Sequence, residues 1–420
     1  MLHAWQARHK VEIIEHYEDS PRSLSPLRVE AEGDAGRVLL LKRIEQLEAR
    51  VRELEAELRR AQASVNVEVD LSAVESAAEA ATQDPEAVWR RLRQNPTNSE
   101  TLHQLFDIYW ARADTDRAFC VAQALMLLGA ASPDEAALFD QHRAQTLITP
   151  RGGVSQAAWH DLLFHPEEEV LTGQIFATIV PAVLLGRVTA LRRDKKLHQP
   201  PADARQDVHK STLTAVRALP WAAAILGVQA PPIFAEKDRD SGYEHIPGVP
   251  PLTVVGRRVL SGRTQLEHAF LAGRHLAMYR VEHYIKTLFH AVQDLEDLFL
   301  AALTIGSPGL PIADDMKRRV QPIADAIAPV LEPAQVDTLR GCFLRFVEEG
   351  GRTNLLRWAT AVDKTACRAG LVVSSDSATA SRLLQAEEGG LGELSKDLIC
   401  FVTSERYFRL RRQLGVAIDG

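Results

Sequence analysis

What this chain lacks narrows its chemistry first. Its four cysteines, Cys120, Cys342, Cys367 and Cys400, stand far apart and form no Cys-x-x-Cys pair. That spacing excludes a zinc ribbon and a disulfide framework, and it predicts reduced, mostly buried thiols in a cytoplasmic protein. No Gly-x-Ser-x-Gly elbow and no Gly-x-x-x-x-Gly-Lys loop occurs, so a hydrolase nucleophile of that type and a phosphate cradle are both missing. Long apolar runs are scarce. The longest uncharged one, Val170 to Gly186, contains Gln174 and Pro181 and predicts a buried helix, with no membrane insertion. Met1 to Lys10 lacks the apolar stretch of a signal peptide. An excess of positive charge is also absent: the net charge is -7, and the basic cluster Arg192-Arg-Asp-Lys-Lys196 has no interleaved aromatics. No nucleic-acid partner is expected, and the cluster reads as a solvated helix end. Asp238-Arg-Asp240 resembles the start of a calcium loop, but Val249 stands where the twelfth-position glutamate belongs, so it reads as a turn between strands. No cofactor motif is present, and no cofactor is expected.

What is present is an ordinary globular composition of 46% hydrophobic and 25% charged residues, in a chain of 420 residues with room for two or three structural units. Residues 1–36, broken by Pro21, Pro26, Gly33 and Gly36, read as a flexible tail holding a short binding segment at Val11 to Tyr17. Residues 37–63 carry heptads. Ile44, Val51 and Leu58 fall at a, while Leu40, Leu47 and Leu54 fall at d, a pattern that favours a parallel two-stranded coiled coil. Arg43 and Arg50 at g would meet Glu48 and Glu55 at e of the partner, so a second copy of the chain is the expected partner. Residues 71–147 read as wholly helical. Within them Ser99 to Ala131 resembles one tetratricopeptide-type hairpin, with Leu105, Tyr109 and Ala118 at its core positions and a turn at Ala113 to Asp116. Such a hairpin usually binds protein, and a single one needs a neighbour to pack on.

Beyond the break at Thr149-Pro-Arg-Gly-Gly, residues 150–420 form the last region. A short strand at Pro251 to Gly256 leads to a helix that starts with the capping box Thr264 and Glu267. Helical periodicity runs from there to about Thr304, and a single amphipathic helix is expected over Leu394 to Leu414.

The segment from Thr214 to Leu384 resembles the gluzincin endopeptidases of the CAAX-prenyl-protease and heat-shock-protease type. Two stretches carry the resemblance: the Thr264 helix with Gly273-Arg274-His275-Leu276-Ala277-Met278, and Ala361-Val-Asp363-Lys-Thr-Ala-Cys367-Arg-Ala-Gly-Leu-Val-Val. In such enzymes the first stretch carries a His-Glu-x-x-His motif and the second supplies a third ligand. Here Arg274, His275 and Met278 replace the two histidines and the glutamate, and Asp363 stands at the third-ligand position. Methionine is a poor zinc ligand and arginine stays protonated, so the resemblance implies a pseudoenzyme with no bound metal.

His268, His275 and Glu282 recur at sevens on one helix face, yet that spacing spans about 10.5 Å along the axis, too far to share an ion. A buried guanidinium at Arg274 requires a carboxylate, and the family geometry makes Asp363 the expected partner. The resulting expectation is a mainly α protein with a small β element: a coiled coil, a helical-hairpin region and a helical metallopeptidase-like domain with a short sheet. Its expected role is that of a noncatalytic scaffold or adaptor with a protein partner, whose vacated groove retains the shape to hold a peptide. The alternative is a divergent hydrolase whose rebuilt site uses His275, His283 or Asp363.

Overall fold

A computed structural model describes residues 34–63 and 84–418, with side chains placed over 41–57 and 84–418. The tail of residues 1–33, residues 64–83 and the side chains of Leu40 and Leu58 lie outside the described residues. The chain divides into two compact units, Met1–Val74 and Glu75–Gly420.

In the first unit the described residues form one long helix, α1 (Asp34–Ala63). Its apolar side chains Leu41, Ile44, Leu47, Val51 and Leu54 are each 40–55% exposed. Arg52 pairs with Glu48 at 3.9 Å and Arg50 with Glu53 at 2.5 Å, both within the helix.

The second unit is mainly α with one small sheet. It opens with α2 (Pro85–Gln94), α3 (Ser99–Ala111), α4 (Thr115–Leu128) and α5 (Pro133–His142). Each starts where a short polar side chain satisfies free backbone N–H groups: Asp84, Asn98, Asp114 and Ser132 cap them in turn. Gly129, in the left-handed conformation, ends α4. Leu105, Tyr109 and Ala118 are all buried in the core between these helices, as the hairpin pattern predicts.

Next come a short helical segment at Gln156–Ala158 continuing into a π turn at Trp159–Leu163, then α6 (Val170–Arg193) and α7 (Thr214–Leu226). By length and composition α6 is apolar enough to cross a membrane. Its Leu171, Ile175, Phe176, Ile179 and Val183 are nevertheless buried in a core shared with later helices. Strands β1 (Ile233–Glu236), β2 (Tyr243–Ile246) and β3 (Leu252–Gly256) follow, with β3 in the centre, parallel to β1 and antiparallel to β2. The Asp238-Arg-Asp240 stretch is the connection between β1 and β2, as expected.

The remaining long helices are α8 (Gln265–Ala277), α9 (Val292–Gly306), α10 (Asp314–Ile327), α11 (Pro333–Glu348), α12 (Leu355–Ser374), α13 (Ser377–Glu388), α14 (Glu393–Val402) and α15 (Glu405–Leu414). The expected capping box at α8 forms, with Thr264 N–H donating to Glu267 at 2.7 Å and Glu267 N–H to Thr264 at 3.2 Å. Two sequence expectations fail. Helix does not continue from α8 to Thr304: it stops at Met278 and resumes only in a short turn at Ile285–Leu288 before α9. The carbonyl of Ala277, which a continuing helix would bond to Val281 N–H, meets Arg280 N–H at 3.4 Å and the His283 ring at 3.0 Å. The expected helix over Leu394 to Leu414 is two helices. Thr403 and Ser404 turn their hydroxyls back onto Ile399 and Phe401 carbonyls, and Ser404 then caps α15.

The α8 and α12 helices cross in close contact at two glycines. A Cβ at Gly273 would lie 2.9 Å from Ala369 O and from Gly370 Cα, and one at Gly370 would lie 2.6 Å from Phe270 O. Only glycine permits this approach, and it sets Arg274 and Asp363 on neighbouring helices.

Candidate functional site

Arg274 leaves α8 towards the end of α13. Its Nη1 donates to Glu387 Oε2 and its Nη2 to Glu387 Oε1, the latter at 2.8 Å, forming a two-pronged ion pair. The expected Arg274–Asp363 pair does not form. Asp363 pairs instead with Lys286, from the short turn after α8, and Lys286 also donates to Ala359 O at 2.6 Å. Arg274 thus obtains the carboxylate that a mostly buried guanidinium requires, but from Glu387 at the end of α13. Burial works against the Arg274 charge, and the Glu387 hydrogen bond outweighs it, so its pKa is raised. Glu387 in turn is held below the usual carboxylate range, first by that hydrogen bond. One turn beyond Asp363, burial pushes the Cys367 thiol up to about 12, leaving it neutral.

The other two positions singled out by the peptidase resemblance point elsewhere. His275 is buried towards the sheet, where its Nε2 lies 2.9 Å from Thr253 Oγ1 on β3. Its ring stacks on His245 of β2 with centroids 3.8 Å apart, and His245 Nε2 donates to His275 O at 3.0 Å. Burial lowers the His245 pKa to about 4 and holds His275 well below its ordinary value. Met278 packs into the apolar core between both clusters. His268, one of the sevens, meets Tyr243 at 3.3 Å, while Glu282 accepts from Arg280 at 2.8 Å. Each therefore has its own separate partner.

His283 belongs to a buried chain of groups that sequence reasoning missed. Its Nδ1 lies 3.0 Å from the Ala277 carbonyl and its Nε2 2.5 Å from Glu168 Oε1, while Thr365 Oγ1 donates to Glu168 Oε2 at 2.5 Å. Burial opposes the Glu168 charge, and the adjacent His283 outweighs burial, holding this carboxyl below its usual range. Every donor and acceptor in the chain is used internally, which fits a strut joining the segment before α6, the turn after α8 and helix α12 better than a reactive group. No sequence spacing links residues 168, 283 and 365, so only the fold brings them together. Likewise Arg411 of α15 donates to Asp116 of α4 at 2.7 Å in a buried pair that joins the hairpin region to the last helix.

Among the described residues no group of three or more His, Cys, Asp or Glu side chains is arranged to hold a metal ion. The positions named for a rebuilt hydrolase, His275, His283 and Asp363, face Thr253, Glu168 and Lys286 respectively. Comparison with protein-family models, curated proteins and solved structures found no match to this chain.

A cleft of about 730 Å³ lies elsewhere, between α2 and the pair α14 and α15. Its wall includes Trp89 and Arg93 of α2, and its floor includes Arg368 of α12 and Phe401 of α14.

Proposed function

We propose that this chain is a noncatalytic interaction protein that self-associates through α1 and presents a degenerate peptidase-like domain as a binding surface. The observation that carries the reading is the stripe of Ile44, Leu47, Val51 and Leu54, all exposed on one long helix. Apolar residues in heptad register have no stabilising use on a solvated helix, whereas two such stripes bury each other. The occupant proposed is a second, parallel copy, because Arg43 and Arg50 would then face Glu48 and Glu55 across the seam.

The noncatalytic part of the reading is supported by charge balance. Where the resemblance puts a metal, Arg274–Glu387 and Lys286–Asp363 form two ion pairs whose charges cancel. A cation would have to displace a lysine or an arginine already hydrogen-bonded there. Sedimentation velocity of the intact chain tests the reading. The wild type should sediment as a dimer, and a Leu47→Glu, Leu54→Glu variant as a monomer. A wild type that stays monomeric at high micromolar concentration, or a variant that stays dimeric, would overturn it.

A further inference from the structure

The cleft between α2 and the C-terminal helices is unevenly neutralised. Within it Arg368 is matched by Asp397 at 2.7 Å, Lys396 by Glu393 at 2.9 Å and Lys364 by Glu167 at 3.7 Å. Glu405 is matched from outside the cleft by Arg117 at 2.7 Å. Two cations, Arg93 and Arg406, have no carboxylate within ion-pair distance among the described residues. Arg93 lies over the Trp89 ring, 5.2 Å from its centroid. Arg406 donates to the Phe164 carbonyl at 2.9 Å, and the Arg368 guanidinium donates to that same oxygen at 3.3 Å. Two guanidiniums therefore converge on one carbonyl, and the carboxylate there, Asp397, is paired with Arg368 and lies 3.2 Å from His165 Nε2. Burial first, then the nearby charges of Arg368 and Arg93, make charging Arg406 less favourable than usual, only partly offset by Asp161.

We propose that this cleft binds an acidic peptide segment, with Arg406 and Arg93 taking its carboxylates and Trp89 covering its backbone or apolar side chains. An arginine keeps its charge, and its planar fork matches a carboxylate with two parallel bonds, so a half-buried, unmatched guanidinium beside another marks a place for one. A peptide fits better than a polyanion. Glu86, Glu167, Glu393 and Glu405 stand in the same wall and would repel a nucleic acid or a dense phosphate cluster, whereas carboxylates spaced along a peptide can reach the two arginines between them. The proposal names the partner chemistry of the scaffold reading and rests on it, yet its test does not depend on self-association.

The test uses the full chain and a fluorescein-labelled, end-capped peptide of alternating glutamate and alanine, followed by anisotropy at low salt. The glutamine counterpart and inorganic phosphate serve as competitors. The acidic peptide should bind, and Arg93→Gln, on the exposed face of α2, should weaken it about tenfold, the loss of roughly one charge-assisted bond. Arg406→Gln should weaken it at least as much and Arg406→Lys less, with the folded state of each checked by circular dichroism. Equal affinity for the glutamine peptide, no effect of Arg93→Gln, or displacement by millimolar phosphate as readily as by the peptide would overturn the proposal. Loss of peptide binding with dimer formation intact would remove this inference alone, while a monomeric wild type would remove the self-association reading alone.

Discussion

Lowering the pH from 7 to 5 should destabilise the second unit mainly through His245 and His275. The two rings stack at 3.8 Å inside the protein, and each uses a nitrogen on a neutral partner, His275 O for His245 and Thr253 Oγ1 for His275. Neither has a carboxylate among these contacts to stabilise an added proton. Burial brings the folded pKa of His245 down to about 4 and holds that of His275 well below its ordinary value. In the unfolded chain each histidine titrates near 6.5, so between that pH and the folded value the unfolded state binds more protons and stability rises with pH. The contribution is complete above the unfolded pKa and is lost as pH falls. At pH 5, about 1.5 pH units below 6.5, the His245 ring costs roughly 2 kcal/mol, and His275 shifts stability in the same direction. Denaturant midpoints at pH 7 and pH 5, read by tryptophan fluorescence, measure the difference. His245→Phe, which keeps the stacked ring and loses its titration, should remove roughly 2 kcal/mol of the drop. An unchanged midpoint between the two pH values, or an identical drop in the His245→Phe variant, would refute the reasoning.

Glu168→Ala leaves the buried His283 without its carboxylate and should cost about 3–5 kcal/mol, a fall in Tm of some 6–10 °C at roughly 2 °C per kcal/mol for a unit this large; a change below about 1 kcal/mol would contradict the strut role. Gly370→Ala drives a methyl against the Phe270 carbonyl and should destabilise by roughly 1–3 kcal/mol in thermal unfolding. Gly341→Ala, in α11 with open space around its Cα, should instead stabilise by about 1 kcal/mol; the same sign for both would undo the account of the α8–α12 contact.

Local signals carried well from sequence to structure. Thr264 with Glu267 named the start of α8, and the turn read at Ala113 to Asp116 falls where α3 ends and α4 begins. The mainly α architecture with one short sheet was also legible, because helical periodicity and the apolar run of β3 are properties of neighbours in the chain. What failed depended on distant residues. The pairing of Arg274 with Glu387 rather than Asp363 is decided by where α13 ends, 113 residues later in the chain. The break after Met278 is decided by His283 reaching back to Ala277 and forward in space to Glu168, 115 residues away. The arginine cleft was invisible for the same reason: α2 and the C-terminal helices that line it are separated by most of the chain.

The proposed noncatalytic reading has two ion pairs closing the position at which the peptidase resemblance puts a metal, and the zinc content of the purified chain tests it most directly. After equilibration with zinc and removal of free ion, elemental analysis should find far less than one zinc per wild-type chain. The Arg274→His, Met278→His variant should take up zinc, because it restores two histidines four residues apart beside Asp363. One tightly held zinc per wild-type chain, released by Asp363→Ala, would contradict the account.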